Sequence, residues 1–176
     1  MIGVRSDRRP VRLHTRRLTL RELSANDLDY VAGLLADEVT MRFWPRPYTR
    51  SEALEWIERQ RARYESDGCA FWLVLRTDTG EPIGQAGVLT QRIGDVTEWG
   101  LGYIIDRRHW RQGYAAEAAA ECLRFVFQEL DRSRAVALVR PENAPSIAVT
   151  RKLGMHEESR TRYYGYEHIV FVRNRD

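Results

Sequence analysis

A basic segment in the second half of the chain has the residue types and spacing expected of an anion-binding site. It contains Arg107, Arg108 and Arg111, followed by Gly113 and an alanine-rich run that begins at Ala115. The first N–H groups of a helix have no partner within the helix, and the helix dipole adds partial positive charge at that end. If a helix begins just after the glycine, its free amides and the neighbouring arginines form a cradle for a phosphate or diphosphate.

The sequence gives little support to several other kinds of chemistry. No Lys-Ser or Lys-Thr pair follows Gly113 as in a P-loop, and the Gly-x-Gly-x-x-Gly dinucleotide fingerprint is absent. The two cysteines, Cys69 and Cys122, are far apart, and neither His109 nor His168 has a neighbour in metal-ligand spacing. We therefore expect no metal site and no disulfide framework. We interpret the two histidines as polar residues of a loop and a strand.

The length and composition are those of one globular domain. The 176 residues are 43% apolar and 30% charged, and no apolar run approaches the roughly 18 residues of a membrane helix. The N-terminus lacks the apolar segment of a secretory signal, so we expect a soluble, cytoplasmic protein with no membrane partner. Residues 1–12 are rich in arginine and should form a basic arm, either disordered in solvent or bound to an anion such as nucleic acid.

Hydrophobic periodicity predicts a mixed sheet with helices, which is neither a Rossmann fold nor a barrel. The second helix should follow the capping box Thr49–Glu52 and present Leu54, Ile57, Arg61 and Tyr64 on one face. The strands are expected at 18–23, 71–75, 83–89, 97–106, 135–139, 158–162 and 168–173. The helices are expected at 24–36, after residue 49, at 115–130 and at 146–153.

The motifs around the predicted cradle resemble those of a known family. Residues 110–118 read Trp-Arg-Gln-Gly-Tyr-Ala-Ala-Glu-Ala. They resemble the acetyl-CoA pyrophosphate loop of the GNAT superfamily of N-acetyltransferases, most closely its branch of Rim-type ribosomal-protein N-terminal acetyltransferases. Three further segments resemble motifs of that branch and follow one another in the same order as in the family: residues 17–21, 141–146 and 152–155. Trp110 and Met155 depart from the family's frequent residues, but a backbone cradle tolerates the first and methionine packs well at the second.

The resemblance implies an α/β (α+β) GNAT fold, with a strongly twisted, mostly antiparallel mixed sheet of about seven strands and about four helices. Its two central parallel strands, 97–106 and 135–139, should splay apart and admit the pantetheine arm of acetyl-CoA, which leaves as CoA. Residues 13–176 then form a single acetyltransferase domain. The implied cofactor-binding residues are Tyr103, Ile104, Ile105, Arg111, Gln112, Gly113, Tyr114, Ala115, Ala116, Asn143 and Ser146.

Acyl transfer to an amine needs a base, a group that polarises the thioester carbonyl, and an acid for the leaving thiolate. Glu98 shares a strand face with Gly100 and Gly102, and we predict that it acts as the base through a water. The alternative is a strand carboxylate that faces solvent. The glycines either leave this face shallow or mark a bulge or close packing. Backbone N–H groups of residues 102–104 are expected to polarise the carbonyl.

The resemblance also points to an acid on the last helix. Many family members use a tyrosine at the position of Thr150, so we predict that Ser146 supplies the acid instead. Its alternative role is that of a helix cap. Asn143 resembles a cofactor-contacting asparagine of the family, and its alternative role is turn formation.

The predicted acceptor-binding residues are Phe43, Trp44 and Tyr164. The first two belong to the irregular stretch 41–48, which lies where the family builds its acceptor groove, although either aromatic ring could equally pack into the core. An α-amine titrates roughly 2.5 units below a lysine, or about 3.5 kcal/mol in the cost of the neutral form. With a single candidate base, this difference favours an α-amine or another weakly basic amine.

The sequence therefore predicts acetyl transfer from acetyl-CoA to a peptide N-terminal α-amine or a small-molecule amine, by direct attack in a ternary complex. A ribosomal protein is a candidate partner, and the oligomeric state, including a homodimer, is left open. An antibiotic or polyamine acetyltransferase would be expected to carry an acidic acceptor pocket. The alternatives from other classes are a non-catalytic acyl-CoA sensor and a ribosome- or RNA-binding module that uses the arginine arm.

Overall fold

The computed structural model describes residues 10–175, which form eight strands and four α-helices. The strands are β1 (Arg12–His14), β2 (Leu18–Arg21), β3 (Phe71–Arg76), β4 (Pro82–Ile93), β5 (Val96–Ile105), β6 (Arg134–Val139), β7 (His156–Tyr163) and β8 (Tyr166–Asn174). The α-helices are α1 (Leu28–Ala36), α2 (Arg50–Ser66), α3 (Tyr114–Gln128) and α4 (Ala144–Lys152). Short 3₁₀ turns at Ala25–Asp27 and Arg107–His109 precede α1 and α3.

The strands form one mixed sheet in the order β1-β2-β3-β4-β5-β6-β8-β7. Every neighbouring pair is antiparallel except β5 and β6, which run parallel. The predicted fold class is confirmed, with β1 as an additional strand at the edge of the sheet. Residues 1–9, which carry most of the predicted basic arm, lie outside the described residues, and Arg12 is the first residue of β1. No helix within residues 10–175 is long and apolar enough to cross a membrane.

The two parallel strands diverge at the centre of the sheet. β4 and β5 are paired along their whole length, from Gly84 opposite Ile105 to Ile93 opposite Val96. In the described chain, β5 and β6 are joined at a single paired position, Gly100 opposite Val136. Beyond this position the facing backbone groups of the two strands have no partner across the gap. The predicted splay is therefore present, and it opens toward the carboxyl ends of both strands.

The helices cover the two faces of the sheet in pairs, because successive strand side chains point to opposite faces. On one face, Leu101 of β5 and Ala137 of β6 pack with buried residues of α3, such as Cys122. On the other face, Ile104 packs with buried residues of α1 and α2, including Ile57. The gap between β5 and β6 therefore connects the α3–α4 side of the sheet with the α1–α2 side.

Helix α2 begins at the predicted capping box, in which Thr49 and Glu52 satisfy each other's backbone N–H groups. Of the four residues predicted to share one face, Ile57 and Tyr64 are buried, whereas Arg61 is exposed and Leu54 is 42% exposed. The buried residues of α2 are Ala53, Trp56, Ile57, Gln60 and Tyr64. The helix can bury a polar glutamine because Gln60 accepts a hydrogen bond from the Phe71 amide at 3.2 Å and donates one to the Trp56 carbonyl at 3.3 Å.

Candidate active site

The first turn of α3 carries a row of free backbone amides. Gly113 is the N-cap and has a left-handed conformation with φ of 80°, and Arg111 is also left-handed with φ of 61°. The first helical hydrogen bond runs from the Glu117 amide to the Gly113 carbonyl, at 3.1 Å. The amides of residues 113–116 donate no hydrogen bond to any residue between 10 and 175. A left-handed residue next to a helix start turns successive N–H groups toward one point, which is the geometry of an anion-binding nest.

Arg17, from the turn between β1 and β2, lies beside this row of amides. Its Nε donates to Glu117 at 2.6 Å and its Nη1 donates to the Gln112 carbonyl at 2.9 Å. Its guanidinium group lies 4.5 Å from the centre of the Tyr114 ring. Burial disfavours ionisation of Glu117, but hydrogen bonds from Thr15 and Arg17 outweigh it and hold the pKa of this carboxyl below its usual range. These contacts fix the β1–β2 turn against α3 and place a cation at the cradle.

The other loop arginines are less available than the sequence suggested. Arg107 pairs with Asp37 at 3.1 Å, and Arg108 pairs with Asp106 at 2.7 Å. Arg111 is exposed and has no ion-pair partner among the described residues. Two of the three guanidinium groups of the loop are neutralised by carboxylates, and Arg17 is likewise paired with Glu117. The positive character of the loop therefore comes from Arg111 and the free amides.

Several predicted cofactor residues can contribute only their backbone. The side chains of Ile104 and Ile105 are 3% and 7% exposed, and Tyr114 is also buried in the core. Gln112 is exposed, while Ala115 and Ala116 are half-buried in the first turn of α3. A cradle made of backbone N–H groups needs small or outward-pointing side chains around the helix start. Gln112, Ala115 and Ala116 meet this requirement.

A cavity of about 670 Å³ opens at the diverging ends of β5 and β6. Gly102 and Tyr103 line it from β5, and residues 137–140 line it from β6. The loop between α1 and α2, the helix α2, the start of α4 and the β7–β8 turn close its other sides. The cavity therefore begins where the sheet is interrupted and extends over the α1–α2 side.

The predicted acceptor residues Phe43, Trp44 and Tyr164 all line this cavity. Trp44 packs edge-on against Trp56, with ring centres 5.9 Å apart, and also lies 6.5 Å from the Phe71 ring. Trp44 thus belongs both to the edge of the α1–α2 core and to the cavity wall, so the two alternatives for this residue hold together. Tyr164 is 70% exposed at the tip of the β7–β8 turn.

Two hydroxyl groups meet at the mouth of the gap between the strands. The Tyr103 hydroxyl lies 2.6 Å from Ser146 Oγ, and both residues line the cavity. Burial raises the pKa of Tyr103 to about 12, although the hydrogen bond with Ser146 acts in the opposite direction. Tyr103 is therefore neutral at physiological pH, and either of the two hydroxyls can donate to the other. We predicted a role for the backbone of Tyr103 and for the hydroxyl of Ser146, but not the contact between the two hydroxyl groups.

Asn143 is the N-cap of α4, a role that we had considered as the alternative for Ser146, whereas turn formation was the alternative for Asn143. Its Oδ1 accepts a hydrogen bond from the Ser146 amide at 3.2 Å, and this fixes the first turn of α4. Asn143 also lines the cavity. The cap therefore leaves the Ser146 hydroxyl directed to Tyr103 rather than to the backbone.

Glu98, the predicted base, is separated from this cluster. It lies before Gly100, on the closed side of the β5–β6 pair, and it is not among the residues that line the cavity. Its carboxylate accepts from Arg134 Nε at 3.0 Å, and Arg134 also binds Glu158 at 2.6 Å. Its side chain is 16% exposed. Glu98 is therefore a mostly buried, ion-paired strand carboxylate rather than the solvent-facing one of the alternative, and its place outside the cavity does not support the catalytic role.

The glycines of β5 make room for neighbouring side chains. A Cβ at Gly102 would lie 2.6 Å from the ring of Phe71, and one at Gly100 would clash with the Gln91 amide. Close packing, one of the two alternatives, is therefore the reason for glycine here. Phe71 and Gln91 both line the cavity, and the Gln91 Oε1 atom is buried without a hydrogen-bond partner.

His168, which we interpreted as an ordinary strand residue, also lines the cavity. Its Nδ1 lies 3.0 Å from the Tyr166 carbonyl oxygen. A carbonyl only accepts hydrogen bonds, so Nδ1 carries the proton and Nε2 of the neutral ring keeps its lone pair. No residue between 10 and 175 hydrogen-bonds to that Nε2. The sequence around His168 does not indicate that it lies at the site, because β8 reaches the site only through its pairing with β6.

No cluster of three or more histidine, cysteine and acidic residues suitable for a metal ion occurs in the part of the chain that the structure describes. Both cysteines are buried and unpaired. The site therefore consists of backbone amides, hydroxyl groups, aromatic rings and charged side chains.

Comparisons with known proteins agree with this architecture. A family model described as an acetyltransferase (GNAT) domain matches residues 17–156. YkkB, an uncharacterized protein of Bacillus subtilis strain 168, is 33% identical over 163 residues, which covers 92% of this chain and 95% of YkkB.

Solved structures share the fold over nearly the whole chain. An acetyltransferase from Agrobacterium tumefaciens strain C58 superimposes with a TM-score of 0.82 at 26% identity, covering 94% of this chain and 95% of that one. RimL, a ribosomal L7/L12 alpha-N-protein acetyltransferase in complex with coenzyme A, has a TM-score of 0.76 at 17% identity, covering 91% and 95%. Together with the family match, these likenesses lead to one conclusion. The chain belongs to the GNAT family of acetyltransferases, enzymes that take the acetyl group from acetyl-CoA.

Proposed function

We propose that this chain acetylates a primary amine, either the α-amine of a peptide or protein N-terminus or a small-molecule amine, in a ternary complex with acetyl-CoA. The observation that carries the proposal is the cavity itself. It joins the opening between β5 and β6 and the hydroxyl pair of Tyr103 and Ser146 to an aromatic wall that includes Trp44. Donor and acceptor can thus meet at one point.

The residues at the first turn of α3 fit the diphosphate of acetyl-CoA. The amides of residues 113–116 are unpartnered within the described residues, and Arg111 adds positive charge beside them. Arg17 is paired with Glu117 but keeps guanidinium N–H groups next to the same turn. An unpaired amide row at a helix start is a ready site for a phosphate. The backbone of β5 at residues 102–104 has no partner from β6, so its free groups are available to orient the rest of the cofactor and to polarise the thioester carbonyl.

Bound acetyl-CoA supplies the acetyl thioester: the amine nitrogen bonds to its carbonyl carbon, the carbon–sulfur bond breaks, and the products are the N-acetyl compound and the CoA thiol. Ser146 lies where a hydroxyl can donate a hydrogen bond to the departing sulfur. Either hydroxyl of the Tyr103–Ser146 pair can be the donor, and when Tyr103 donates to Ser146 Oγ the serine proton is free for the sulfur. A thiol has a pKa near 8.5, so hydrogen bonding suffices to make it a good leaving group near neutral pH.

The attacking amine must lose a proton, and we propose that His168 Nε2 accepts it in place of Glu98. His168 lines the cavity, and its Nδ1 proton is fixed by the Tyr166 carbonyl. Glu98 lies outside the cavity and is paired with Arg134. A neutral imidazole whose second nitrogen is oriented by a hydrogen bond is well suited to general-base catalysis.

The α-amine of a peptide is the acceptor that this arrangement favours. An α-amine titrates near 7.7–8.0 and a lysine near 10.4, so removing the proton of the α-amine costs less free energy at neutral pH. The likeness to RimL, whose name specifies a ribosomal α-N-protein substrate, supports a protein N-terminus as acceptor and a ribosomal protein as a candidate partner.

The test is CoA thiol release from acetyl-CoA with a panel of amines, followed by mass spectrometry of the acceptor. We expect thiol release that depends on the amine and a mass gain of one acetyl group at its nitrogen. Calorimetric titration with CoA runs in parallel as a control for a folded donor site. Tight CoA binding without thiol release above background for any amine would contradict the proposal and favour the acyl-CoA sensor.

A further inference from the structure

The cavity contains two arginines that no carboxylate neutralises. Arg59 and Arg63 lie one helical turn apart on α2, and both line the cavity. Neither guanidinium group has an ion-pair or hydrogen-bond partner within residues 10–175. Arg59 instead lies 5.8 Å from the centre of the Trp56 ring.

The other arginines of the same helix differ in this respect. Arg50 pairs with Asp29, and Arg61 pairs with Glu58 at 3.0 Å. Like charges four residues apart on a helix destabilise it slightly. The cavity-facing pair therefore carries an electrostatic cost that the arginines outside the cavity do not carry, and an anion bound between Arg59 and Arg63 would remove it.

Acidic residues in the cavity wall do not cancel this charge. Glu52 is bound by Arg46 through two contacts, and this hydrogen bonding lowers the pKa of Glu52 to about 2. Glu55 is exposed and has no partner among the described residues, so it can neutralise at most one of Arg59 and Arg63. The wall of the cavity thus has an excess of positive charge, which disfavours polycationic acceptors such as polyamines.

Two other residues of the cavity wall do not add free charge to it. Arg140, which follows β6, pairs with Glu142 at 2.8 Å and lies over the Tyr166 ring. Its Nε and the Oε1 atom of Gln91 have no hydrogen-bond partner among the described residues, but both atoms are covered by protein. The unpaired positive charge that a ligand in the cavity would meet is therefore that of Arg59 and Arg63.

We propose that the acceptor is a primary amine that also carries a carboxylate, with Arg59 and Arg63 binding the carboxylate. An N-terminal peptide with acidic residues after its first position and a free acidic amino acid share this chemistry. Guanidinium groups recognise carboxylates through paired, charge-assisted hydrogen bonds, and Trp56 stacks with Arg59 to restrict its orientation. This inference rests on the proposed acetyltransferase function and specifies its substrate class.

The experiment compares acceptors that differ only in charge. Three peptides of equal length begin with serine and continue with three glutamates, three glutamines or three lysines, and glutamate and glutamine serve as free amino acids. KM and kcat are measured by thiol release, and acceptor binding is measured by calorimetry with CoA present. We expect at least a tenfold lower KM for the acidic peptide than for the neutral one, and the weakest binding for the basic one. The same preference between free glutamate and glutamine would identify the small-molecule source, and its absence would identify the peptide.

Variants on α2 connect the preference to the two arginines. Arg59→Gln and Arg63→Gln should each raise the KM for the acidic peptide by about fivefold, and together they should reduce the preference over the neutral peptide to within twofold. Arg59→Lys should retain more of the preference than Arg59→Gln, because lysine keeps the positive charge. Arg61→Gln, on the same helix but paired with Glu58, is the matched control and should leave the preference intact.

Failure of this inference is distinguishable from failure of the function. Thiol release with equal KM values for all three peptides, or a preference for lysine, would overturn the carboxylate site and leave the acetyltransferase intact. Absence of thiol release with every amine would contradict the function, yet calorimetry would still decide the inference. Equal affinity for the acidic and basic peptides in the calorimetric titration would overturn the carboxylate site.

Discussion

The proposed donor side and the proposed acceptor side of the site are built in different ways. The donor side is formed largely by consecutive residues, 111–117, and acts through backbone amides at the start of α3. The acceptor side is formed by side chains from the α1–α2 loop, α2, β4, β6, α4 and the β7–β8 hairpin. A backbone site needs a local conformation, whereas a side-chain site needs distant segments to meet. The first can be recognised in a short stretch of sequence, and the second emerges only from the fold.

The two ends of β5 show a related contrast. At the closed end, Glu98 and Glu158 share Arg134, and these charges join β5, β6 and β7. At the open end, the neutral hydroxyls of Tyr103 and Ser146 meet across the gap that leads to α4. The charged network thus belongs to the scaffold, and the neutral pair belongs to the site.

The largest expected effect is on the donor side. Gly113→Asp should weaken acetyl-CoA binding at least about 100-fold, or about 3 kcal/mol, because a carboxylate and a strained left-handed residue then lie beside the diphosphate. Calorimetry measures the affinity. Gly94→Asp is the matched control, since Gly94 is also left-handed with φ of 59° and lies in the β4–β5 turn. Both variants should lose similar thermal stability, and equal loss of cofactor affinity in both would refute a local cradle.

The next effect concerns the junction of the two sides. Ser146→Ala should lower kcat about 30- to 100-fold with little change in CoA affinity, because the departing sulfur loses its hydrogen-bond donor. Tyr103→Phe should lower kcat about tenfold, and the double variant should be no worse than Ser146→Ala alone, since the two hydroxyls act through one hydrogen bond. Steady-state kinetics provide the values.

Thr150→Ala is the control for this prediction. Thr150 lies one turn after Ser146 on α4 and donates its hydroxyl hydrogen bond to the Ile147 carbonyl at 2.9 Å. This variant should retain kcat within about threefold of the wild type. If Thr150→Ala and Ser146→Ala reduce kcat equally, the effect of the serine lies in helix stability rather than in catalysis.

The smallest effect on the reaction should come from the closed end of β5. Glu98→Gln should keep kcat within about threefold of the wild type across pH 6–9 and reduce the free energy of unfolding by about 1 kcal/mol or less, as for a partly exposed ion pair. His168→Asn should lower kcat about tenfold or more in the same assay. A profile in which Glu98→Gln loses most of its rate at low pH would restore the glutamate as the base.

Much of the scaffold could be predicted because its signals are local. The capping box at Thr49–Glu52 and the turn at Gly113 each depend on residues within one turn of helix. The splay of β5 and β6 followed from the family resemblance rather than from periodicity. The face of α2 was predicted only in part, with Ile57 and Tyr64 buried as expected and Leu54 exposed. The burial of Gln60 could not be predicted, because its hydrogen-bond partner at Phe71 is set by the fold.

The chemistry of the acceptor side could not be predicted, because it depends on contacts between residues far apart in the sequence. Asp37 neutralises Arg107 from 70 positions away in the chain, and Arg134 draws Glu98 into an ion pair from a different strand. Arg59 and Arg63 follow the pattern of a solvated helix face, and their lack of carboxylate partners is visible only in three dimensions. Pairing between distant residues decides which charges are free, and a single sequence does not encode that pairing locally.

The central claim is that the free amides of α3 bind the diphosphate of the cofactor. Its most direct test is the set of amide proton and nitrogen chemical shifts of residues 113–116 during titration with CoA and, separately, with pantetheine, which lacks the diphosphate. The account predicts large downfield amide proton shifts with CoA, none with pantetheine at these four residues, and no change at Gly94 with either compound. Saturation with CoA that leaves the amides of residues 113–116 unshifted would contradict it.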